Sequence, residues 1–284
     1  MVAISEHASA NVCKILMIGR NGSGKTGSLV SLAKAGYKIR VLDLDNGTEI
    51  LKNLLASDPA ALARVDVETH MDEYMSPPVV APGGSPMIPK TPLKGFSGAM
   101  ACLSSWPGLG KPTEWGPDTV LVIDSLTMLG KFIMNHVLSV KGKLAQGIFG
   151  TDQGNPSQGD WGHAMELQEN VLAMLYSKNI KCHVIVMSHI TYLDDEAPGS
   201  LSKGFPSALG KKLPPKVGSY FNHTLIVEEE GIGAARQKVI KTKSTVQIDA
   251  KTSAPGKVQD SYPLATGLAD YFKAIHGPLK AAAE

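Results

Sequence analysis

Apolar residues in this chain gather into short unbroken runs between polar and glycine-rich stretches, the pattern of strands buried on both faces. Residues 14–18 (KILMI), 38–44 (KIRVLDL), 119–124 (TVLVID) and 183–189 (HVIVMSH) are four such runs, and 65–69 (VDVET) alternates like a half-exposed strand. Between the runs, apolar positions recur at helical spacing. Leu29, Leu32 and Ala33 do so before Gly36, and Ile50, Leu54 and Leu55 do so after Glu49. Leu126, Leu129, Ile133, Val137 and Leu138 make a third stripe, and Ala164, Leu167, Val171, Leu172 and Leu175 a fourth, with Asp160 as its expected cap. The tail predicts strands at 224–228, 234–241 and 244–248, then a helix at 266–275. Alternating strands and helices that pass into strands alone predict an α/β fold. Its sheet is mostly parallel and flanked by helices, with antiparallel strands added at the C-terminal edge.

Composition divides this pattern without breaking it into several domains. Residues 1–11 are small and polar and read as a flexible arm; 12–276 form one domain and 277–284 a tail. The stretch 76–117 is rich in Pro and Gly, and a bare loop of that size is unusual inside a domain. It is read as a surface excursion carrying one short helix at 96–106. Residues 147–159 make a second Gly- and Gln-rich loop, and 190–220 a third long one. The chain's 284 residues suffice for one large α/β domain. Its 28 Lys and Arg nearly balance 26 Asp and Glu, so bulk charge selects no partner and any nucleic-acid contact needs a local patch. Cys13, Cys102 and Cys182 are far apart and show no metal-ligand spacing, which suits reduced thiols in a cytoplasmic protein. No signal peptide or membrane-length run is evident, so a soluble protein with no membrane partner is expected.

The chemistry concentrates at Gly19-Arg20-Asn21-Gly22-Ser23-Gly24-Lys25-Thr26, followed by Gly27. This stretch meets G-x-x-x-x-G-K-[ST] at every fixed position, between a predicted strand and a predicted helix. Chance would produce the four fixed residues in roughly one chain of this length in a hundred, and the flanks make chance rarer. The glycines let backbone N–H groups turn onto phosphate oxygens, and the helix dipole adds positive potential. Lys25 is expected to reach the β- and γ-phosphates of ATP, and the Thr26 hydroxyl to join the shell of a Mg²⁺ ion. Asp124 ends an apolar strand, where a carboxylate supports the metal; the ordinary alternative is a helix cap. Asp45 also ends a strand and can orient the attacking water, with Glu49 as a further candidate and capping by Asp45 or Asn46 as the plain alternative. His189 closes the fourth run on the same side and can sense the γ-phosphate; the plain alternative is a structural histidine.

A GxxxxGKT loop, a strand ending Asp-x-Asp, one ending Val-Ile-Asp-Ser and one ending Met-Ser-His together resemble the RecA/RadA/KaiC class of P-loop NTPase cores. Trp115-Gly116-Pro117-Asp118-Thr119-Val120 and Val239-Ile240-Lys241-Thr242-Lys243-Ser244 are similar to phage-encoded RecA-like ATPases, including the RecA-like Sak branch of single-strand annealing proteins. The resemblance implies a Mg²⁺-dependent ATPase acting on single-stranded DNA in recombination or annealing, in the cytoplasm of a bacterial host. It implies self-association into a filament or ring, with a single-strand-binding protein as a candidate partner. Asp45 then stands where recombinases use a glutamate, and His189 at the nucleotide-sensing position. Lys241 and Lys243 would reach a neighbouring subunit's γ-phosphate; the plain alternative is protection of an edge strand. In the loop after His189, Lys203, Phe205, Lys211, Lys212 and Lys216 combine phosphate neutralisation with a stacking surface, as a DNA contact requires; the plain alternative is a solvated charged loop, with Asp194-Asp195-Glu196 just upstream. The alternatives are a nucleotide-driven switch or motor that never touches DNA, and a P-loop kinase. The kinase is disfavoured because the long loops contain almost no arginine for a lid.

Overall fold

A computed structural model describes residues 12–75, 88–89, 92–143, 156–193 and 201–279. The expected arm at 1–11, much of the Pro/Gly-rich stretch, most of the loop at 147–159, Asp194-Asp195-Glu196 and the last five residues lie outside the described residues. In chain order the strands are β1 (Lys14–Gly19), β2 (Lys38–Asp43), β3 (Val65–Thr69), β4 (Tyr74–Met75), β5 (Ile88–Pro89), β6 (Thr119–Asp124), β7 (His183–Ser188), β8 (Ile190–Leu193), β9 (Lys203–Pro206), β10 (His223–Glu230), β11 (Gln237–Lys241) and β12 (Ser261–Pro263). The helices are α1 (Lys25–Lys34), α2 (Glu49–Leu55), α3 (Pro59–Leu62), α4 (Gly95–Ser104), α5 (Leu126–Val140), α6 (Gln158–Tyr176), α7 (Pro214–Val217) and α8 (Gly267–His276).

Eight strands form one sheet in the order β12-β11-β10-β1-β7-β6-β2-β3. Pairing is parallel from β10 to β3, and β11 and β12 add antiparallel at the C-terminal edge, which is the architecture the hydrophobic pattern predicts. The apolar runs are continuous because both faces are covered. In β1, Ile15 and Met17 pack toward α1 and α8, whereas Leu16 and Ile18 pack toward α5 and α6. Each fully buried side chain of this size contributes about 1.5–3 kcal/mol against exposure. Parallel pairing also places the C-terminal ends of β1, β7, β6 and β2 on one edge. That edge carries Gly19, Ser188, Asp124 and Asp43.

Four local expectations are corrected. Residues 244–248 form no strand: the Thr245 hydroxyl accepts from Ile248 N (3.0 Å) and the Ser244 hydroxyl from Ala250 N (2.9 Å), so side chains hold a turn instead of a ladder. Asp160 is not the cap of α6; Ser157 is, and Asp160 sits three residues later in a capping box. The long loop after His189 is partly ordered as the antiparallel β8–β9 hairpin and the short α7. The strand expected at 234–241 begins only at Gln237, after a 3-10 turn at Gly233–Ala235.

Candidate nucleotide-binding and catalytic site

The phosphate loop leaves β1 at Gly19 and enters α1 at Lys25. Gly24 caps that helix with φ 104°, a left-handed conformation that glycine adopts without strain, and a Cβ there would collide with Leu264. The first helical bond is Ser28 N to Gly24 O (3.0 Å), so the preceding N–H groups face the loop mouth. The first turn of α1 holds no acidic residue, and no side chain caps it, which leaves its positive end available to an anion. Ser23 Oγ is, among the described residues, a buried side-chain oxygen with no hydrogen-bond partner. A phosphate oxygen answers that vacancy in chemical terms.

Lys25 is buried, and its Nζ donates to the carbonyls of Gly19 (3.0 Å) and Arg20 (3.1 Å). Burial lowers its pKa, opposed by the nearby Asp124 and Asp45 carboxylates. The Thr26 hydroxyl donates to Asp124 Oδ2 at 2.6 Å, so a hydroxyl and a carboxylate from two elements meet beside the loop. This all-oxygen pair fits Mg²⁺, which prefers hard donors. Burial raises the Asp124 carboxyl to about 6; Asp45 and Asp43 push it the same way, while the Thr26 hydrogen bond and Lys25 oppose.

The two strand-end aspartates have separate environments. Asp43 is fully enclosed and accepts from Asp45 N (3.1 Å), Gly47 N (3.3 Å) and the Thr48 hydroxyl (2.8 Å), which fixes the turn. Asp45 faces the cleft. Its Oδ1 accepts from the Ser125 hydroxyl at 2.9 Å, and its Oδ2 lies 3.6 Å from His189 Nε2. His189 Nδ1 in turn lies 3.5 Å from Lys25 Nζ. The tautomer with its proton on Nε2 suits both neighbours, because Lys25 can only donate and Asp45 can only accept. The Asp45–His189–Lys25 line therefore spans the loop mouth, held by Ser125 at one end and by the bond from His189 N to the Thr127 hydroxyl (3.2 Å). Glu49 is exposed in the first turn of α2 and joins none of these contacts.

The surrounding cleft is about 1160 Å³. It is lined by polar Lys25, Thr26, Asp45, Asp124 and His189 and by apolar Val30, Ile50, Leu54 and Leu264. Ser125, Thr127, Leu264 and Lys238 escaped the sequence reading. Lys238 Nζ donates to Gly22 O at 2.6 Å, a contact across 216 residues with no local signal. The Ser125 role had one: it follows a strand-end carboxylate and opens a helix.

The remaining expected residues lie away from this line. Lys241 pairs with Glu228 and with Glu230 (2.9 Å), and Lys243, beyond the end of β11, pairs with Asp260 (2.6 Å). Lys241 lines a second hollow of about 580 Å³ with Arg20, Tyr192 and Glu228; this hollow shares Asn21 and Gly22 with the cleft. Lys203 lies on β9, Lys211 and Lys212 in the following turn and Lys216 on α7, all exposed, while Phe205 is half-buried. Gly27 lies in the first turn of α1 and lines the main cleft.

Among solved structures, the chain is similar to a KaiC-like protein from the hyperthermophilic archaeon Pyrococcus horikoshii OT3 at 11% identity and TM-score 0.42, covering 88% of this chain and 84% of that one. It is also similar to the flagellar accessory protein FlaH from Methanocaldococcus jannaschii at 10% identity and TM-score 0.41, covering 88% and 83%. No curated protein matches it. The family model described as an AAA domain, AAA_24, matches residues 11–254, which spans the phosphate loop, both strand-end carboxylates and the β8–β9 hairpin. The chain belongs to the AAA_24 family of AAA domains.

Proposed function

We propose that this chain is a Mg²⁺-dependent ATPase whose nucleotide cycle drives a contact with single-stranded DNA. The observation that carries the ATPase reading is the convergence of Lys25, the Thr26–Asp124 pair and the Asp45–His189 pair in one cleft. Lys25, held by loop carbonyls, is the cation that would move to the β- and γ-phosphates. Mg²⁺ held by Thr26 and Asp124 would neutralise charge on the phosphate oxygens. Asp45, fixed by Ser125, orients the attacking water and accepts its proton; His189 keeps Asp45 and Lys25 in register. The apolar lining residues Val30, Ile50, Leu54 and Leu264 suit the base.

Coupling to DNA is supported by the position of the β8–β9 hairpin. It starts at Ile190, immediately after His189, and Tyr192 on β8 is hydrogen-bonded to Arg20 of the phosphate loop. Tyr192 pairs with Gly204, between Lys203 and Phe205. Lys203, Lys211, Lys212 and Lys216 are exposed, where a cation can meet phosphates. Recombination or strand annealing is the process proposed, with self-association and a single-strand-binding protein as partners. The test is phosphate release measured with and without single-stranded DNA. Stimulation that disappears in Lys25→Ala supports the reading. Turnover indifferent to DNA leaves a switch or motor ATPase, and phosphate delivered to a small acceptor instead of water overturns hydrolysis.

A further inference from the structure

Glu68 and His70 leave the C-terminal end of β3, and Cys102 lies on α4, thirty-two residues further on. His70 Nε2 is 3.0 Å from Cys102 Sγ and 3.9 Å from Glu68 Oε2, and the three ligand atoms all lie within 4.8 Å of one another. We propose that Glu68, His70 and Cys102 form a zinc-type metal site, separate from the nucleotide cleft, that clips the end of β3 to α4.

Four features of the geometry carry this. The donor set of thiolate, imidazole and carboxylate is the borderline-soft mixture that zinc takes. Ligand bonds of about 2.0–2.3 Å at tetrahedral angles separate donor atoms by roughly 3.4–3.6 Å, and the His70–Cys102 and His70–Glu68 separations of 3.0 and 3.9 Å bracket that requirement. The helix is shaped to receive the imidazole: Gly98, one turn before Cys102, lies against the His70 ring, and any Cβ there would collide with it. The ring is thereby turned so that Nδ1 faces the helix backbone and Nε2 faces the thiol. The side chains of His70 (24% exposed) and Glu68 (31%) leave a path for the ion, while Cys102 is buried beneath them.

Metal binding would release the Cys102 proton to solvent, form a metal–sulfur bond, and leave a fourth position for water. Among the described residues, the other close cluster, Cys13, His183 and His276, is poorly placed to compete. His183 Nδ1 accepts from Cys13 N (2.9 Å), and the ring's other nitrogen is hydrogen-bonded to the Pro117 backbone, so neither nitrogen is free. Through the bond from His70 N to Asp43 O (3.0 Å), the clip would brace the turn that presents Asp45.

Cobalt(II) is the probe, added to metal-stripped full chain in excess Mg²⁺, which occupies oxygen-rich sites without giving a spectrum. One equivalent should produce a near-ultraviolet thiolate-to-cobalt charge-transfer band and intense tetrahedral visible bands, both removed by zinc. Cys102→Ser should abolish the charge-transfer band, and Cys13→Ser should leave it. Glu68→Gln and His70→Ala should weaken cobalt binding by at least the tenfold to hundredfold that loss of a mere supporting partner costs. If Cys102→Ser fails to fold by circular dichroism, Glu68→Gln decides, because its side chain is partly exposed. No thiolate band in the wild type, a band lost in Cys13→Ser, or unchanged affinity in Glu68→Gln and His70→Ala would each overturn the site.

Discussion

Asp43 accepts three hydrogen bonds from its own turn, whereas Asp45, two residues on, accepts from Ser125 of another element and faces His189. The sequence showed two carboxylates at a strand end; only the turn geometry separates the structural one from the one in the cleft. Asp45→Asn keeps the size and the Ser125 contact but cannot take a proton from water. Turnover is expected to fall by about 10²–10⁴-fold, with nucleotide affinity within a few-fold of wild type, as read by phosphate release and fluorescent-nucleotide binding. A matching loss of affinity would make Asp45 a binding residue. Asp124 gives a pH-dependent prediction. Its folded-state pKa of about 6 lies above the ordinary 3.8, so the protonated form suits the fold. The stability associated with it is fully present below 3.8 and is lost as pH rises through 6. Asp124→Asn removes that loss, worth on the order of 3 kcal/mol, and an amide still accepts from Thr26. Without nucleotide and with metal chelated, the variant should melt higher than wild type at pH 8, with the difference shrinking toward pH 4. A difference independent of pH would contradict the burial account.

At the scale of elements, what was legible followed from periodicity. Four central strands and the helices α1, α5 and α6 were visible because each buries a continuous run or a stripe; α2 forms where expected but buries Leu51 and Leu55, while Ile50 and Leu54 of the expected stripe face the cleft. The order of parts then placed Lys25, Thr26, Asp45, Asp124 and His189 on one edge. The failures share a cause, which is side-chain or long-range bonding that periodicity does not encode. Ser244 and Thr245 turn an alternating segment into a loop, Ser157 takes the cap from Asp160, and the two-strand β8–β9 hairpin lacks an apolar run of its own. Lys238 on β11 shows the same limit, since its hold on Gly22 O is set by the antiparallel edge. Lys238→Met keeps the length and removes the donor. Because the contact is exposed and charge-assisted, its loss should weaken ATP binding by roughly two- to tenfold while kcat stays near wild type. An equal fall in kcat at saturating ATP would mean that Lys238 acts in the hydrolytic step as well.

At the scale of the whole molecule, the hollow that Lys241 lines adjoins the cleft at Asn21 and Gly22, and Lys241 and Lys243 both already carry acidic partners. Lys243 and Asp260 are about seven-tenths exposed, and such a pair holds little energy, so Lys243 can leave it at small cost. Lys241 is more enclosed, between Glu228 and Glu230, which raise its pKa through hydrogen bonds and keep it charged. If these cations serve the nucleotide of a neighbouring copy, Lys241→Ala combined with Lys243→Ala should leave folding and ATP binding near wild type. Hydrolysis should fall, because the lost contact meets charge that develops in the transition state. If they serve only their own acidic partners, the double variant should hydrolyse normally once folded. A mixture separates position from mere integrity. A Lys25→Ala copy cannot use its own nucleotide but keeps both lysines, so adding it to the double variant should restore turnover that neither protein has alone. Restoration should follow the fraction of mixed neighbours, rising and then falling as the ratio is varied at fixed total protein. Absence of rescue under conditions where the two copies demonstrably co-assemble would assign Lys241 to its ion pairs with β10 and Lys243 to its pair with Asp260, just before β12.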